Sequence, residues 1–314
     1  MIKTFIVCYY IIVMITNDKY SIFEISGGLG KHVAATAVAQ CIKNNFPDRE
    51  LIVVCAYPEV FLHLPFVSRV YRLGNTPYFY QNYIKDKEPK IFKHEPYFTD
   101  DHINKKLPLI ENWCKLYNLT YNGEMPILNP NIRQYHNGLN KWVRSKPIFL
   151  INTNGGPLQG QPYPYSWARD IPYDLAVKIV EPYKQTHHII QICREGCVHI
   201  PGVEVVDKPM SNMELFTLLL RTDRRVLIDS SLQHAAKAFN LTSTVLWVTT
   251  SPKLFGYDTH FNIVAKLPDN PPLPDSYLFD YGFQGPLHEC PLFDLDIFDI
   301  DEIISSINSQ KNNY

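Results

Sequence analysis

The chain reads as an α/β protein built from two doubly wound halves that face each other across a cleft. Three observations carry that expectation. Short runs rich in Val and Ile alternate with segments at helical spacing, which is the pattern of parallel strands joined by crossover helices. The alternation restarts after residues 122–130 (NGEMPILNP), a stretch dense in Gly, Pro and Asn. And 314 residues are long for one domain but comfortable for two, each burying its own core.

The elements follow in order. Residues 20–26 (YSIFEIS) predict a first strand, 31–45 an alanine-rich helix, and 50–57 (ELIVVCAY) a second strand. Residues 67–73 (VSRVYRL) predict a third strand and 90–99 a weaker fourth. Residues 107–119 predict an amphipathic helix with Ile110, Trp113, Cys114 and Tyr117 on one face. One more helix is expected over 132–143, before Lys146-Pro147. The second half then predicts a strand at 148–152, a Gly/Pro-rich loop to Tyr165, a helix at 173–183, and strands at 188–193 and 203–206. A helix at 213–221 and a strand at 226–229 complete that run. The domains are therefore expected at 1–145 and 146–314. Residues 300–309 form a short amphipathic helix expected to pack back on the first domain, and Pro268–Pro274 is an extended connector.

Composition narrows the class of protein. Hydrophobic residues are 46% and charged residues 19%, and 30 basic against 31 acidic side chains leave a net charge of −1. With no basic block, a nucleic-acid surface is not expected. The seven cysteines (Cys8, Cys41, Cys55, Cys114, Cys193, Cys197 and Cys290) are odd in number and scattered, which points to reduced thiols and a cytoplasmic location. Residues 5–16 (FIVCYYIIVMIT) are nearly continuously apolar yet too few to span a bilayer. They suit a buried strand or a segment resting on a membrane surface, so peripheral membrane contact stays open.

Two segments carry the chemistry. Residues 226–240 run from an apolar strand into helical spacing at Ala235, Ala236, Ala238 and Phe239. Asp229, Ser230 and Ser231 thus fall on the turn where a helix presents unbonded N–H groups, a ready site for an anion. The bland alternative is a capped helix without a ligand. The second segment, Ser26-Gly-Gly-Leu-Gly-Lys-His32, joins the first strand to the alanine-rich helix. Glycines there let the backbone approach a ligand closely. A Walker A loop fits poorly, because Ile25 stands where its first Gly belongs and His32 replaces the hydroxyl that would hold magnesium. A dinucleotide fingerprint fits poorly too, since Val33 takes the third glycine position. Cys193-x-x-x-Cys197-x-His199, with His187 and His188 upstream, superficially suggests a metal site, but its spacing differs from the usual zinc knuckles. The loop at 161–167, with Tyr163, Tyr165 and Trp167, either stacks a sugar or packs on its own domain.

The chain resembles the GT-B glycosyltransferases, most of all glycosyltransferase family 9, the ADP-heptose:lipopolysaccharide heptosyltransferases. That family's second domain carries Asp-Ser-Gly-Pro-x-His-x-Ala-Ala-Ala and then Thr-Val. Here Asp229-Ser-Ser-Leu-Gln-His-Ala-Ala-Lys-Ala238 is followed by Thr244-Val245, so Asp229, Ser230 and His234 match in identity and spacing. In the first domain Gly30-Lys31, Ala35-Thr36-Ala37-Val38, Phe46-Pro47-Asp48 and Pro65–Val70 fall in the family's order, and the Gly27–Gly30 turn is similar to that of starch and glycogen synthases. The likeness spans most of residues 20–265.

The resemblance implies two Rossmann-like domains facing across a cleft. It also implies transfer of a sugar from a nucleotide-diphosphate donor, an ADP-sugar, to a saccharide or glycolipid acceptor, with no metal or cofactor. Gly27, Gly28, Gly30, Asn154, Gly155, Trp167, Arg169, Asp229, Ser230, Ser231 and His234 are then expected to bind substrate. Helix N–H groups, Ser230, Ser231 and a cation such as Lys31 or Arg169 would stabilise charge on the departing diphosphate. The family's suspected base is an Asp at the position of Lys31. A protonated Lys cannot take the acceptor's proton, so Lys31 and its neighbour His32 become the catalytic candidates in altered roles. A fold retained for binding without catalysis, and a phosphate-loop ATPase or kinase resting on Gly30-Lys31 alone, are the competing readings.

Overall fold

The computed structural model describes residues 18–129, 133–155, 169–248, 250–266 and 297–311. The apolar segment 5–16, the loop aromatics up to Trp167, the connector 268–274, and Cys8 and Cys290 lie outside the described residues.

The first sheet has strand order β3-β2-β1-β4, all parallel. It begins with β1 (Lys19–Ile25), whose Phe23 and Ile25 are buried. Next is α1 (Leu29–Asn45), in which Ala34, Ala35, Ala37 and Ala39 are fully enclosed. A helix apolar on every side is one covered on every side, and alanine lets its neighbours come close. β2 (Glu50–Cys55) lies beside β1, with β3 (Arg69–Arg72) at the edge. After the short α2 (Phe79–Tyr83), β4 (Glu88–Phe92) returns to the other side of β1. α3 (Asp100–Ile103) and α4 (Leu109–Leu116) follow, and buried Trp113 packs edge-on against Phe23.

The helix expected before residue 145 forms α5 (Arg133–Leu139), but it packs on the second half of the chain. Trp142 just beyond it donates its indole N–H to the Glu214 carbonyl, and Lys141 pairs with the Glu214 carboxylate. Glu214 belongs to the second half of the chain.

The second sheet is also parallel, in the order β10-β9-β8-β5-β6-β7. It opens with β5 (Ile148–Asn152), buried along its whole length, as strands covered on both faces are. α6 (Tyr173–Val180), β6 (His188–Ile192), β7 (Glu204–Val206) and α7 (Asn212–Leu220) follow, and α7 starts at a Ser211–Glu214 capping box. The chain then crosses back to β8 (Thr222–Ile228), α8 (Ser231–Ala238) and β9 (Thr244–Trp247). Two elements not anticipated, α9 (Pro252–Phe255) and β10 (Phe261–Val264), finish the sheet. One apolar core runs from Phe23 and Val33 of the first half to Leu227, Ala235 and Trp247 of the second.

Two expectations are corrected. The closing helix α10 (Ile300–Asn308) does not return to the first sheet but lies on the second. Ile303 and Ile307 fill the core formed by Phe149, Ile179 and Val226, while Ser306 hydrogen-bonds Thr244 and Gln310 caps the backbone of Arg225. That apolar stripe and those polar partners match the second sheet, so the helix is held there. The cysteines are not all reduced either: Cys193 and Cys197 form a disulfide, because the turn after β6 brings their Cα atoms to 6.1 Å. Cys41, Cys55 and Cys114 are free and buried. No helix among the described residues is long and apolar enough to cross a membrane.

Candidate functional site

Parallel sheets present their loops at the carboxyl ends of the strands, and ligands lodge where the strand order reverses. In the second sheet that switch lies between β5 and β8; in the first it lies between β1 and β4. A cavity of about 750 Å³ opens at the switch of the second sheet, lined by Asn152, Asn154 and Gly155 after β5 and by Ser230 and Ser231 after β8. Arg194 and Lys208, from the loops after β6 and β7, line its other side.

Ser230 is the N-cap of α8. Its Oγ accepts the Leu232 N–H at 3.3 Å and donates to the Asn152 side chain at 2.8 Å, tying the two switch strands together. The cap is thus Ser230 and not its neighbour Asp229. Asp229 is buried behind the turn, where Arg169 donates to its carbonyl at 3.3 Å. Burial pushes the Asp229 carboxyl up, against the charge of Arg169, which pulls it down. On the β5 side, Asp170 organises the loop. It accepts from the Asn154 side chain at 3.0 Å and the Gly155 N–H at 3.2 Å, and it pairs with Arg194.

The glycine turn of the first sheet meets this wall directly. A Cβ at Gly30 would lie 3.0 Å from His234 and 3.2 Å from Ser231 Cα, so the amino ends of α1 and α8 touch. His234 is thereby sealed. It is buried, its Nδ1 lies 2.7 Å from the Tyr257 hydroxyl, and burial drives its pKa down to about 3. It packs within the contact between the two helix ends and is not among the residues that line the cavity.

His32 is enclosed as well. It is wholly buried, with Nδ1–H donating to the Gly28 carbonyl at 2.9 Å and Nε2 accepting from Ala56 N–H at 3.1 Å. Desolvation lowers its pKa, and both nitrogens are used in fixing α1 to the end of β2. Lys31 remains at the site but is not a bare phosphate ligand. Its Nζ folds back over Gly27, whose φ is +85°, and pairs with Glu95 at 2.6 Å, with the Tyr97 ring 5.0 Å away. Gly28 is the exposed N-cap of α1.

Sequence reasoning missed Glu95, Asp170, Arg194 and Lys208. Glu95 follows β4, so it and Lys31 stand on the two sides of the first sheet's switch point. No local motif marks it. Parallel crossover topology alone would have pointed to the residues just after β4.

No protein-family model and no curated protein sequence matches the chain. Solved structures do. The family 9 glycosyltransferase of Veillonella parvula superposes with a TM-score of 0.64 at 10% identity, over 93% of this chain and 96% of that one. ADP-heptose lps heptosyltransferase II of E. coli gives 0.60 at 12% identity, over 83% and 96%. The iron-containing heptosyltransferase TibC, solved in complex with ADP-D-β-D-heptose, gives 0.60 at 14% identity, over 93% and 74%. The chain thus has the two-sheet GT-B fold of these glycosyltransferases.

Proposed function

We propose that this protein is a glycosyltransferase that moves a sugar from a nucleotide-diphosphate donor to a hydroxyl of a saccharide or lipid-linked glycan. The observation that carries the reading is the close approach of Gly30 to Ser231, which brings the first sheet's glycine turn to the amino end of α8, next to the cavity that Ser231 lines. A donor of the ADP-heptose kind is supported by solved structures with this fold, one an ADP-heptose lps heptosyltransferase and another a complex with ADP-D-β-D-heptose.

In this reading the nucleotide lies in the cavity along the ends of β5 to β7, with its pyrophosphate at Ser230 and Ser231. As the bond from the anomeric carbon to the phosphate oxygen breaks, its electron pair goes to the leaving diphosphate. The N–H groups of α8, the two serine hydroxyls and Arg194 or Lys208 stabilise that charge, with no metal needed. The acceptor oxygen bonds to the anomeric carbon and passes its proton to the Glu95 carboxylate. Glu95, just beyond β4, supplies the carboxylate that the family carries where Lys31 stands, and Lys31 holds it in place.

The same ion pair also suits a fold kept only for binding, because Lys31 neutralises Glu95. Release of nucleoside diphosphate from a panel of ADP-, UDP- and GDP-sugars, with and without saccharide acceptors and in chelator, decides between them. Acceptor-dependent release from one donor supports transfer. Binding of a donor with no release from any supports the inactive alternative.

A further inference from the structure

The connection from β6 to β7 gathers three metal-ligating side chains that sugar transfer does not use. Cys193, Cys197 and His199 each bring one ligand atom within 4.8 Å of the others. We propose that these residues form a binding site for a zinc-class divalent cation, which fills when the Cys193–Cys197 disulfide is reduced.

The loop is built to hold this geometry. Cys193 N–H donates to the Val206 carbonyl at 3.2 Å, which pins the end of β6 to β7, and Cys197 N–H closes the turn on Arg194 at 3.1 Å. Buried Gln191 then clamps the following residues back onto the strand they left. Its amide oxygen accepts the Ile200 N–H at 2.8 Å and its nitrogen donates to the Val198 carbonyl at 3.1 Å. His199, between those two, is held with Nε2 at 3.2 Å from the Asp207 carboxylate. A carboxylate beside the imidazole is the second contact that metal-bound histidines usually keep. The unusual spacing in sequence is therefore no obstacle, because the turn at Gly196 and the Gln191 clamp do the gathering.

The donor set selects the cation. Two thiolates and an imidazole are soft to borderline ligands that suit zinc and its relatives over magnesium or calcium, and two thiolates neutralise a dication. Three protein ligands leave the fourth position to water. Cys193 is buried while His199 is exposed, so the cation has a path in from solvent. Opening the disulfide takes two electrons and two protons from a dithiol reductant, which leaves as its own disulfide. Binding of the cation then releases the two thiol protons to solvent. Cys193 and Asp207 also line the nucleotide cavity, so the site lies in its wall.

Cobalt(II) titration of the reduced full-length protein, followed by displacement with zinc, tests this without reference to any transfer activity. One cobalt per chain should bind with thiolate-to-cobalt charge-transfer absorption, and zinc should bleach it. Exposed His199→Ala should keep the fold and weaken binding by about tenfold or more. Diamide-oxidised protein should show no band. Absence of the band in reduced wild type, or its survival in Cys193→Ser/Cys197→Ser, overturns the proposal.

Discussion

Gly30 of α1 rests directly on His234 of α8, with 3.0 Å between the place of a Cβ at position 30 and the imidazole Cδ2. The two helix ends meet because one of them offers no side chain. His234 cannot give way easily, since Tyr257 holds its ring, and the next obstacle, Ser231 Cα at 3.2 Å, is backbone.

Gly30→Ala should therefore destabilise the protein by about 1–3 kcal/mol through overpacking. The gain in helix propensity, about 1 kcal/mol, offsets only part of that. Gly28→Ser is the control, because nothing lies within 4 Å of its Cβ position and it is the N-cap of α1, where serine is favoured. Urea denaturation should show a lower midpoint for the first variant and an unchanged or higher one for the second. Equal midpoints for Gly30→Ala and wild type would mean the contact is slack.

Glu95→Gln should lower kcat by roughly 10²–10⁴-fold while leaving nucleotide affinity intact, as removal of a general base does. Lys31→Met, which spares the carboxylate, should cost less. Were Lys31 the phosphate ligand, the order would reverse and donor affinity would fall with it. Steady-state kinetics of both variants beside donor titrations separate these outcomes.

Stability should decline on mild acidification. Burial holds the pKa of His234 down to about 3 and that of His260 to about 4, against an ordinary 6.5. Below 6.5 the unfolded chain takes up protons that these folded-state histidines refuse, so the unfolded state gains. Each such group removes about 1.4 kcal/mol per pH unit once titration is under way. The contribution is fully present above pH 6.5 and is lost as pH falls toward the folded values. Urea midpoints between pH 7.5 and 5 should drop, and His260→Asn should flatten the slope. A midpoint independent of pH in wild type would contradict the burial argument.

Much of the fold was legible because its central strands are buried on both faces and read as plain apolar runs, as Ile148–Asn152 does. Ser230 and Ser231 were legible for a similar reason: a small polar pair between strand and helix is a local signature of a cap. Glu95 was not, because its place at the site depends on β4 crossing to the far side of β1, a long-range pairing without a local mark. The burial of His32 and His234 was not legible either, because residue type suggests chemistry while long-range packing decides exposure. The closing helix showed its apolar stripe but not its partner, which polar contacts to Thr244 and Arg225 determine.

The central claim, a pyrophosphate seated on the amino end of α8, is tested most directly by calorimetric titration of ADP in chelator, with wild type and Ser231→Glu compared. An acidic residue in the first turn favours the helix, so the variant should fold. Its carboxylate would nonetheless occupy the phosphate's place. The account predicts that ADP binds wild type more tightly than adenosine does and that the variant loses tenfold or more of that affinity. Equal ADP affinity in the two proteins, or no preference for ADP over adenosine, would contradict it.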